Sequence, residues 1–297
     1  MKKMGTFLCD VLTAYATQAT LMGYPEHCSA DPEKLGVIGR ALGHQVRVVH
    51  PNGKKAVYTV SELRQESPDR RLRMCLDGRK RLDPAGATFA SGTCDSSCLR
   101  SNLTDAEAES QGEFVERLDE SGIGSALVAL APHGGLIENY TDEQAERVLS
   151  QLVAAGKAVA CWRCKGWRVG GGAFDAWHIT STDIHPASFP LLDSIKDGGY
   201  AYSVAFHGYG EDTVAVGGAA PLSLKTEIAD AIQVALGGEH AVEVVTSGPY
   251  AGADPKNLCN WITATGAGIQ IEQPSDVRSG HWQAVADAVA AVFAAKL

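Results

Sequence analysis

The stretch Ala126-Leu127-Val128-Ala129-Leu130-Ala131-Pro132-His133-Gly134-Gly135-Leu136-Ile137-Glu138 runs from an aliphatic segment into a loop bearing an imidazole and a carboxylate. Residues 126–130 are short, aliphatic and bounded by Pro and Gly, which predicts a buried strand. His133 and Glu138 then fall just past its end, on a backbone made permissive by two glycines. Sites in open α/β sheets collect at such strand ends. A His and a Glu five residues apart in a loop can turn toward one metal ion. Alone, such a pair is more often a pair of surface residues, so the reading depends on what the rest of the chain supplies.

Two further strand ends supply it. Ala201-Tyr202-Ser203-Val204-Ala205-Phe206-His207-Gly208 is again an apolar strand ending in His-Gly, and Gly266-Ala267-Gly268-Ile269-Gln270-Ile271-Glu272 is a Gly-flanked strand ending in a carboxylate. Two His and one Glu complete the three protein ligands of an open catalytic zinc site, which keeps a position for water. Glu272 is then a fourth group, free to take that water's proton. Zinc brings the pKa of bound water to about 7, so the implied chemistry is metal-assisted hydrolysis of an acyl bond, an amide by preference.

Around these strand ends the sequence from about Ser125 to Arg278 resembles the poly-γ-glutamate hydrolases, zinc-dependent relatives of the carboxypeptidase fold found in bacteriophages and bacteria. The resemblance rests on APHGGLIE at Ala131 to Glu138, HITSTDIHP at His178 to Pro186, FHGYG at Phe206 to Gly210 and GGA at Gly217 to Ala219. KNLCN at Lys256 to Asn260, GAGIQIE at Gly266 to Glu272, and Arg278 complete it. It implies one zinc ion held by His133, Glu138 and His207, with Glu272 as general base and poly-γ-glutamate as substrate. Two places depart from the family: Trp261 stands where an Arg tends to follow Asn260, and Ile184-His185 replaces a Phe-Asp pair. A missing cation weakens the case for an acidic polymer and leaves the metal chemistry intact.

The chain is long enough, at 297 residues, for one large core and a small module. Its 45% apolar and 21% charged residues are those of a soluble globular protein. No apolar run approaches the ~18 residues of a membrane span. Lys2 and Lys3 precede a segment broken by Asp10, which is no secretory signal, and residues 1–30 read as a helical arm or poorly ordered leader. Residues 31–101 hold 13 Lys and Arg against 8 Asp and Glu, a net +5, so the remainder carries −14 within a total of −9. Such a basic module can draw in a polyanion at long range, with a solvated surface as the plainer alternative. Nucleic acid is not expected, since no aromatic residues interleave the basic ones.

Before residue 101 the strands look short and hairpin-linked: Gln45 to His50, a Pro51-Asn52-Gly53 turn, Ala56 to Val60, Leu72 to Leu76, then an Asp77-Gly78 turn into Lys80 to Leu82. This predicts a small all-β, barrel-like module. Its Val57 to Glu62 segment faintly resembles modules fused to members of the same family. Residues 102–122, rich in Asp, Glu and Ser, read as a linker or exposed helix. Residues 123–297 alternate strands and helices, with a capping box at Thr141/Gln144 and helices near Ser223 to Leu236 and His281 to Ala295. That predicts an α/β fold, a mixed twisted sheet with helices on both sides; the resemblance makes it zinc carboxypeptidase-like.

Asn257, Asn260 and Arg278 are candidates for holding a substrate carboxylate, Arg278 having an ion pair with Asp276 as its alternative. His178 either lines the substrate groove or is a packed imidazole, and His185 is favoured as a surface residue. Of the eight cysteines, Cys161 and Cys164 lie at an odd offset that opposes a four-thiolate zinc site with Cys94 and Cys98. Cys94 and Cys98 suit a disulfide if the compartment is oxidising, and buried free thiols are the default. Three functions stay open: γ-glutamyl hydrolysis, a peptidoglycan or acyl-amino-acid amidase, and a non-catalytic polyanion binder. If the polymer is the substrate, the site of action is extracellular.

Overall fold

The computed structural model describes residues 5–122 and 124–297; Lys2 and Lys3 lie outside them. Among the described residues the strands are β1 Thr6–Thr13, β2 His27–Ala30, β3 Gln45–Val49, β4 Lys55–Leu63, β5 Arg71–Met74, β6 Phe89–Asp95, β7 Phe114–Glu120, β8 Leu127–Gly135, β9 Val159–Gly166, β10 Tyr202–Gly208, β11 Val214–Gly217, β12 Val242–Val244 and β13 Ile269–Gln273. The helices are α1 Pro32–Val37, α2 Leu76–Lys80, α3 Asp105–Gln111, α4 Thr141–Ala154, α5 Ala173–Trp177, α6 Pro190–Ile195, α7 Leu222–Ala235, α8 Leu258–Trp261 and α9 Ser275–Ala294. The chain divides into two compact units, Met1–Arg100 with Arg168–Pro190, and Ser101–Trp167 with Leu191–Leu297. No described helix is long and apolar enough to cross a membrane.

The first unit is built on a closed six-stranded barrel of order β1-β5-β2-β4-β3-β6, in which β6 returns to pair with β1. Alternate residues point inward and fill it: Cys9 and Val11, Val46 and Val48, Ala56, Tyr58 and Val60, Leu72 and Met74. The expected Asn52-Gly53 hairpin joins β3 to β4. Two expectations are corrected here. Residues 5–30 form no helical arm, because β1 and β2 supply two of the six staves and closure is impossible without them. Asp77-Gly78 is not a hairpin turn but part of α2, whose N-cap Cys75 accepts from the Gly78 amide and whose Gly78 carbonyl is bound by the buried Tyr58 hydroxyl. For the cysteines the default expectation holds: all eight, Cys94 and Cys98 among them, are buried free thiols.

The second unit carries a seven-stranded mixed sheet of order β12-β11-β13-β10-β8-β9-β7. Its centre, β13-β10-β8-β9, is parallel, while β11 and β7 run antiparallel to their inner neighbours. Buried residues at helical spacing put α4 (Ala145, Val148, Leu152), α7 (Leu224, Ile228, Ile232) and α9 (Val285, Val289, Phe293) on one face. They cover Leu127, Ala129, Phe206, Val216 and Ile271. The short α8 lies on the opposite face, where the Ser203 hydroxyl donates to the Cys259 carbonyl. Strands covered on both sides read as continuous apolar runs, which is why residues 126–131 do. A reciprocal amide pair, Gln144 on α4 with Gln273 on β13 at 2.7 and 2.8 Å, is fully buried between the layers.

Of the two readings for residues 102–122, the exposed helix is present as α3 and the linker is not. Thr104 caps α3 through a capping box with Glu107, and β7 follows as an edge strand paired along β9. Its charges misled the reading because Glu116 is buried as an acceptor, receiving the amides of Leu191 and Leu192 and the Trp162 indole N–H. The capping box expected at Thr141/Gln144 is absent: Tyr140, at φ 72°, occupies the cap, and the Thr141 hydroxyl donates to the Glu138 carbonyl.

Within the barrel unit, Glu26 receives the His178 imidazole and the Thr180 amide, and the Arg81 guanidinium lies close by. Burial by itself raises the Glu26 pKa, but these partners outweigh it and bring it from 4.5 down to about 2. A carboxyl depressed on folding contributes stability above its ordinary pKa and loses it as pH falls toward its folded one. The parent should therefore lose up to about 3 kcal/mol between pH 4.5 and 2 relative to Glu26→Gln. Denaturant titrations across that range test this, and parallel pH profiles for the two proteins would refute it.

Candidate metal centre

Three parallel strands, β8, β10 and β13, end side by side, and each delivers one functional group at its carboxyl end. On β8 the register slips between Ala131 and Gly134, so Pro132 and His133 oppose the single Cys164 of β9. Pro132, which has no N–H for the ladder, sits in this bulge, and bulges re-aim side chains. Next to Pro132, His133 is carried away from strict alternation. Gly135 follows at φ 68°, where a Cβ would stand 2.8 Å from the Gly166 carbonyl oxygen. Its amide donates to Asp142 Oδ1 at 2.9 Å, and Asp142 is paired with Lys165 Nζ at 2.8 Å. This ion pair pins the loop, and the turn closes when the Glu138 amide donates to the His133 carbonyl.

His207 and Glu272 are direct register partners on β10 and β13. Val204, Phe206, Ile269 and Ile271 face the long helices, so alternation sends His207 and Glu272 to the other face. There Glu138 Oε1 lies 3.0 Å from His133 Nδ1, Glu138 Oε2 lies 3.5 Å from His207 Nδ1, and the two Nδ1 atoms are 3.2 Å apart. The Gly208 amide also donates to Glu138 Oε2 at 2.9 Å. All three side chains are buried.

Burial raises the Glu138 pKa, but the two imidazoles prevail and hold it well below the ordinary carboxylate range. An ionised carboxylate so enclosed demands a neighbouring positive charge. Two facing imidazole nitrogens can share at most one proton along the line between them. A divalent cation satisfies all three donors at once, and tetrahedral bonds of 2.0–2.2 Å to N and O place ligand atoms about 3.4 Å apart. The donor set and its spacing therefore suit zinc.

Glu272 is a buried neighbour of this cluster. Burial and the Glu138 charge raise its pKa to about 7 against the opposing pull of both imidazoles and a Gln270 hydrogen bond. Gln270 Nε2 donates to Glu272 Oε1 at 2.7 Å, and Asn257 Nδ2 donates to Gln270 Oε1 at 2.7 Å. Gln270 escaped the sequence reading, although its spacing of two from Glu272 on one strand places both on one face. Asp142 and Lys165 were also missed, since nothing local marks a helix acid and a strand lysine as partners.

The substrate-binding expectations change more. Asn257 caps α8 through the Cys259 amide and orients Gln270. Asn260 is fully buried, its Oδ1 accepting from the amides of Ala219 and Gly268 and its Nδ2 donating to the carbonyls of Gly252 and Asp254. Neither asparagine is disposed to grip a substrate; both brace loops. Arg278 makes no Asp276 pair. Its Nη1 and Nε donate to the carbonyls of Asn139 and Gln273, and Glu138 and Glu272 act on its charge. His178, in the barrel unit, pairs with Glu26 and stacks on Phe174. His185 Nδ1 accepts from the Ala187 amide in a short turn.

Across the sheet, Ala215 pairs with Glu272 and Glu243 pairs with Ala215, so His207, Glu272, Ala215 and Glu243 form one row on one face. From Ala215, one strand spacing or roughly 5 Å from Glu272, the row enters a cavity of about 470 Å³. Tyr209, Tyr250, Glu211, Asp212 and Glu243 are among its walls.

A buried His-Glu-His donor set with a further carboxylate beside it, at the carboxyl ends of parallel strands, is the equipment of a metal-dependent hydrolase. Residues 101–288, more than half of the chain, match the family described as poly-gamma-glutamate hydrolase, and the chain belongs to that family. It is 31% identical over 163 residues to the UPF0714 protein YndL of Bacillus subtilis (strain 168), a stretch covering 52% of this chain and 56% of that relative. A zinc-free YndL structure has a TM-score of 0.48 at 22% identity, over 60% of this chain and 89% of that one. A bacteriophage poly-gamma-glutamate hydrolase structure has a TM-score of 0.46 at 24% identity, over 61% and 89% respectively.

Gly208 also explains how Arg278 is seated. A Cβ there would lie 2.4–2.7 Å from three atoms of the Arg278 guanidinium group. Gly208→Ala should therefore destabilise the protein by about 1–3 kcal/mol, and Arg278→Ala should relieve part of that cost in the double variant. A double-mutant cycle by chemical denaturation tests this; strict additivity would show that the guanidinium is not what excludes a side chain at 208.

Proposed function

We propose that the chain hydrolyses an amide, specifically a γ-glutamyl linkage of poly-γ-glutamate, at one zinc ion held by His133, Glu138 and His207. The observation that carries this reading is Glu272: a second acid buried beside the donor cluster, with its pKa near neutrality. A protein that only held a polyanion would have no use for that group. When bound, zinc supplies Lewis acidity, lowering the pKa of water and drawing charge from the scissile carbonyl.

Glu272 removes a proton from the attacking water as its oxygen bonds to the amide carbon, and returns a proton to the nitrogen as the C–N bond breaks. The products are a carboxylate and a free amine. Gln270, itself held by Asn257, fixes the Glu272 carboxylate in place. Arg278 is the cation available to hold a free carboxylate beside the scissile bond. The positive charge of residues 31–101 favours approach of a polyanion, and an extracellular site of action follows from such a substrate.

One observation favours a second reading, a peptidoglycan or acyl-amino-acid amidase. The cavity in line with Glu272 has three carboxylates in its wall, and Trp261 stands in place of a cation. Those walls accommodate an ammonium better than another glutamate. Parallel assays of poly-γ-glutamate and of peptidoglycan peptides, with and without a chelator, separate the two. Release of γ-glutamyl products that stops on chelation supports the first; activity confined to the peptides supports the second.

Glu272→Gln should retain zinc and lose between about 10²- and 10⁴-fold in kcat. Metal content and steady-state turnover of the same preparation check it, and turnover equal to the parent's would remove Glu272 as the base. Glu272 acts only when ionised, so kcat/KM should fall as pH drops through its pKa. The Gln270 hydrogen bond favours the ionised form, and Gln270→Ala should move that acid limb upward by about one pH unit. An unmoved limb would mean that Gln270 does not tune the base.

A further inference from the structure

A second cluster of metal-ligating side chains lies outside the site described above. Glu239 and His240 stand in the turn between α7 and β12, and His281 is in the second turn of α9. One ligand atom from each of these three lies within 4.8 Å of the others. Asp276, in the first turn of α9, adds a fourth group at 4.0 Å from His240 Nδ1. The imidazoles are largely shielded, at 17% and 30% exposure, while the Asp276 and Glu239 carboxylates stand open at 70% and 69%.

The spacing argues for a common ligand. His281 Nε2 is 3.5 Å from Glu239 Oε2, and the His240 and His281 rings meet edge to face with centroids 5.5 Å apart. These separations exceed an ordinary hydrogen bond, about 2.9 Å for N–H···O. They match ligand atoms arranged around one point at bonds of about 2.1 Å, which stand roughly 3–4 Å from each other. Two imidazoles with carboxylates are a donor set for late first-row divalent ions, zinc among them.

We propose that Glu239, His240 and His281, with Asp276, bind a second divalent metal ion, which ties the turn after α7 to the start of α9. The turn is already braced, since Gln233 Nε2 donates to the His240 carbonyl and Gln233 Oε1 accepts from the Val242 amide. On α9, Arg278 is two residues from Asp276, so the ion holds the helix turn from which Arg278 reaches its carbonyl partners. The ion is structural: none of its ligands belongs to the His133, Glu138 and His207 cluster, and the assignment stands whether or not that cluster catalyses anything.

Zinc titration of the metal-stripped full chain by calorimetry, with equivalents counted by elemental analysis, tests it. The parent should take up one more equivalent than His240→Ala/His281→Ala, and its Tm should rise with zinc by more than that variant's. Because an altered turn can perturb folding, Glu239→Gln/Asp276→Asn, which touches only exposed carboxylates, serves as the second variant; it should weaken the same equivalent at least tenfold. Equal stoichiometry, with affinities within twofold across all three proteins, would overturn the site. A His133→Ala variant that loses an equivalent while both surface variants keep theirs would place every bound ion elsewhere and also overturn it.

Discussion

Glu138 is a carboxylate taken almost wholly out of water, and most of the second unit's local geometry follows from keeping it charged. A buried anion is tolerated only when its partners are close and its remaining lone pairs are bound; removing one partner of a buried pair costs about 3–5 kcal/mol. Two imidazoles and the Gly208 amide meet that need on different strands. The requirement reaches outward. The Pro132 bulge turns His133 inward, Gly135 accepts a backbone angle its neighbours would resist, and the Asp142–Lys165 pair holds the loop. Burial, with the charge of Glu138 added to it, then pushes the second acid, Glu272, toward neutrality, which differentiates two glutamates of identical chemistry.

The strand ends were legible because their signals are local. An aliphatic run that stops at His or Glu beside Gly states both the burial of the strand and the placement of its last functional group at the strand's carboxyl end. Register then did what sequence can only suggest, setting His207 against Glu272. The failures share one cause, distant partners. Glu116 reads as a solvated charge until Trp162 and the amides of residues 191 and 192 are seen around it. Asp77-Gly78 reads as a hairpin turn until Tyr58 claims its carbonyl. Thr6 to Thr13 reads as part of an arm because its pairing partners, β5 and β6, lie some sixty to ninety residues further along the chain.

Asn257 and Asn260 show how residue type misleads about role. Both are polar, near Glu272 in the fold, and sit in a segment that the family resemblance singles out. Yet a buried amide can bind four partners of its own chain, and Asn260 does so. Their work is to hold the loops after β11 and before β13 in place. Under the proposed reading, substrate preference rests on few groups, chiefly Arg278 and the acid-walled cavity at Ala215.

The Gln144–Gln273 pair has a further meaning. Each amide has one carbonyl and one amino end, so the two-bond ring forms only when α4 and β13 stand at a single relative height. A slide of one residue along either element strands four polar atoms in hydrocarbon. Aliphatic packing around them tolerates small offsets; this ring does not. Gln273 follows Glu272 directly, and α4 begins three residues after Glu138. The amide ring is thus a vernier that sets the height of the element behind one acid against the strand that bears the other.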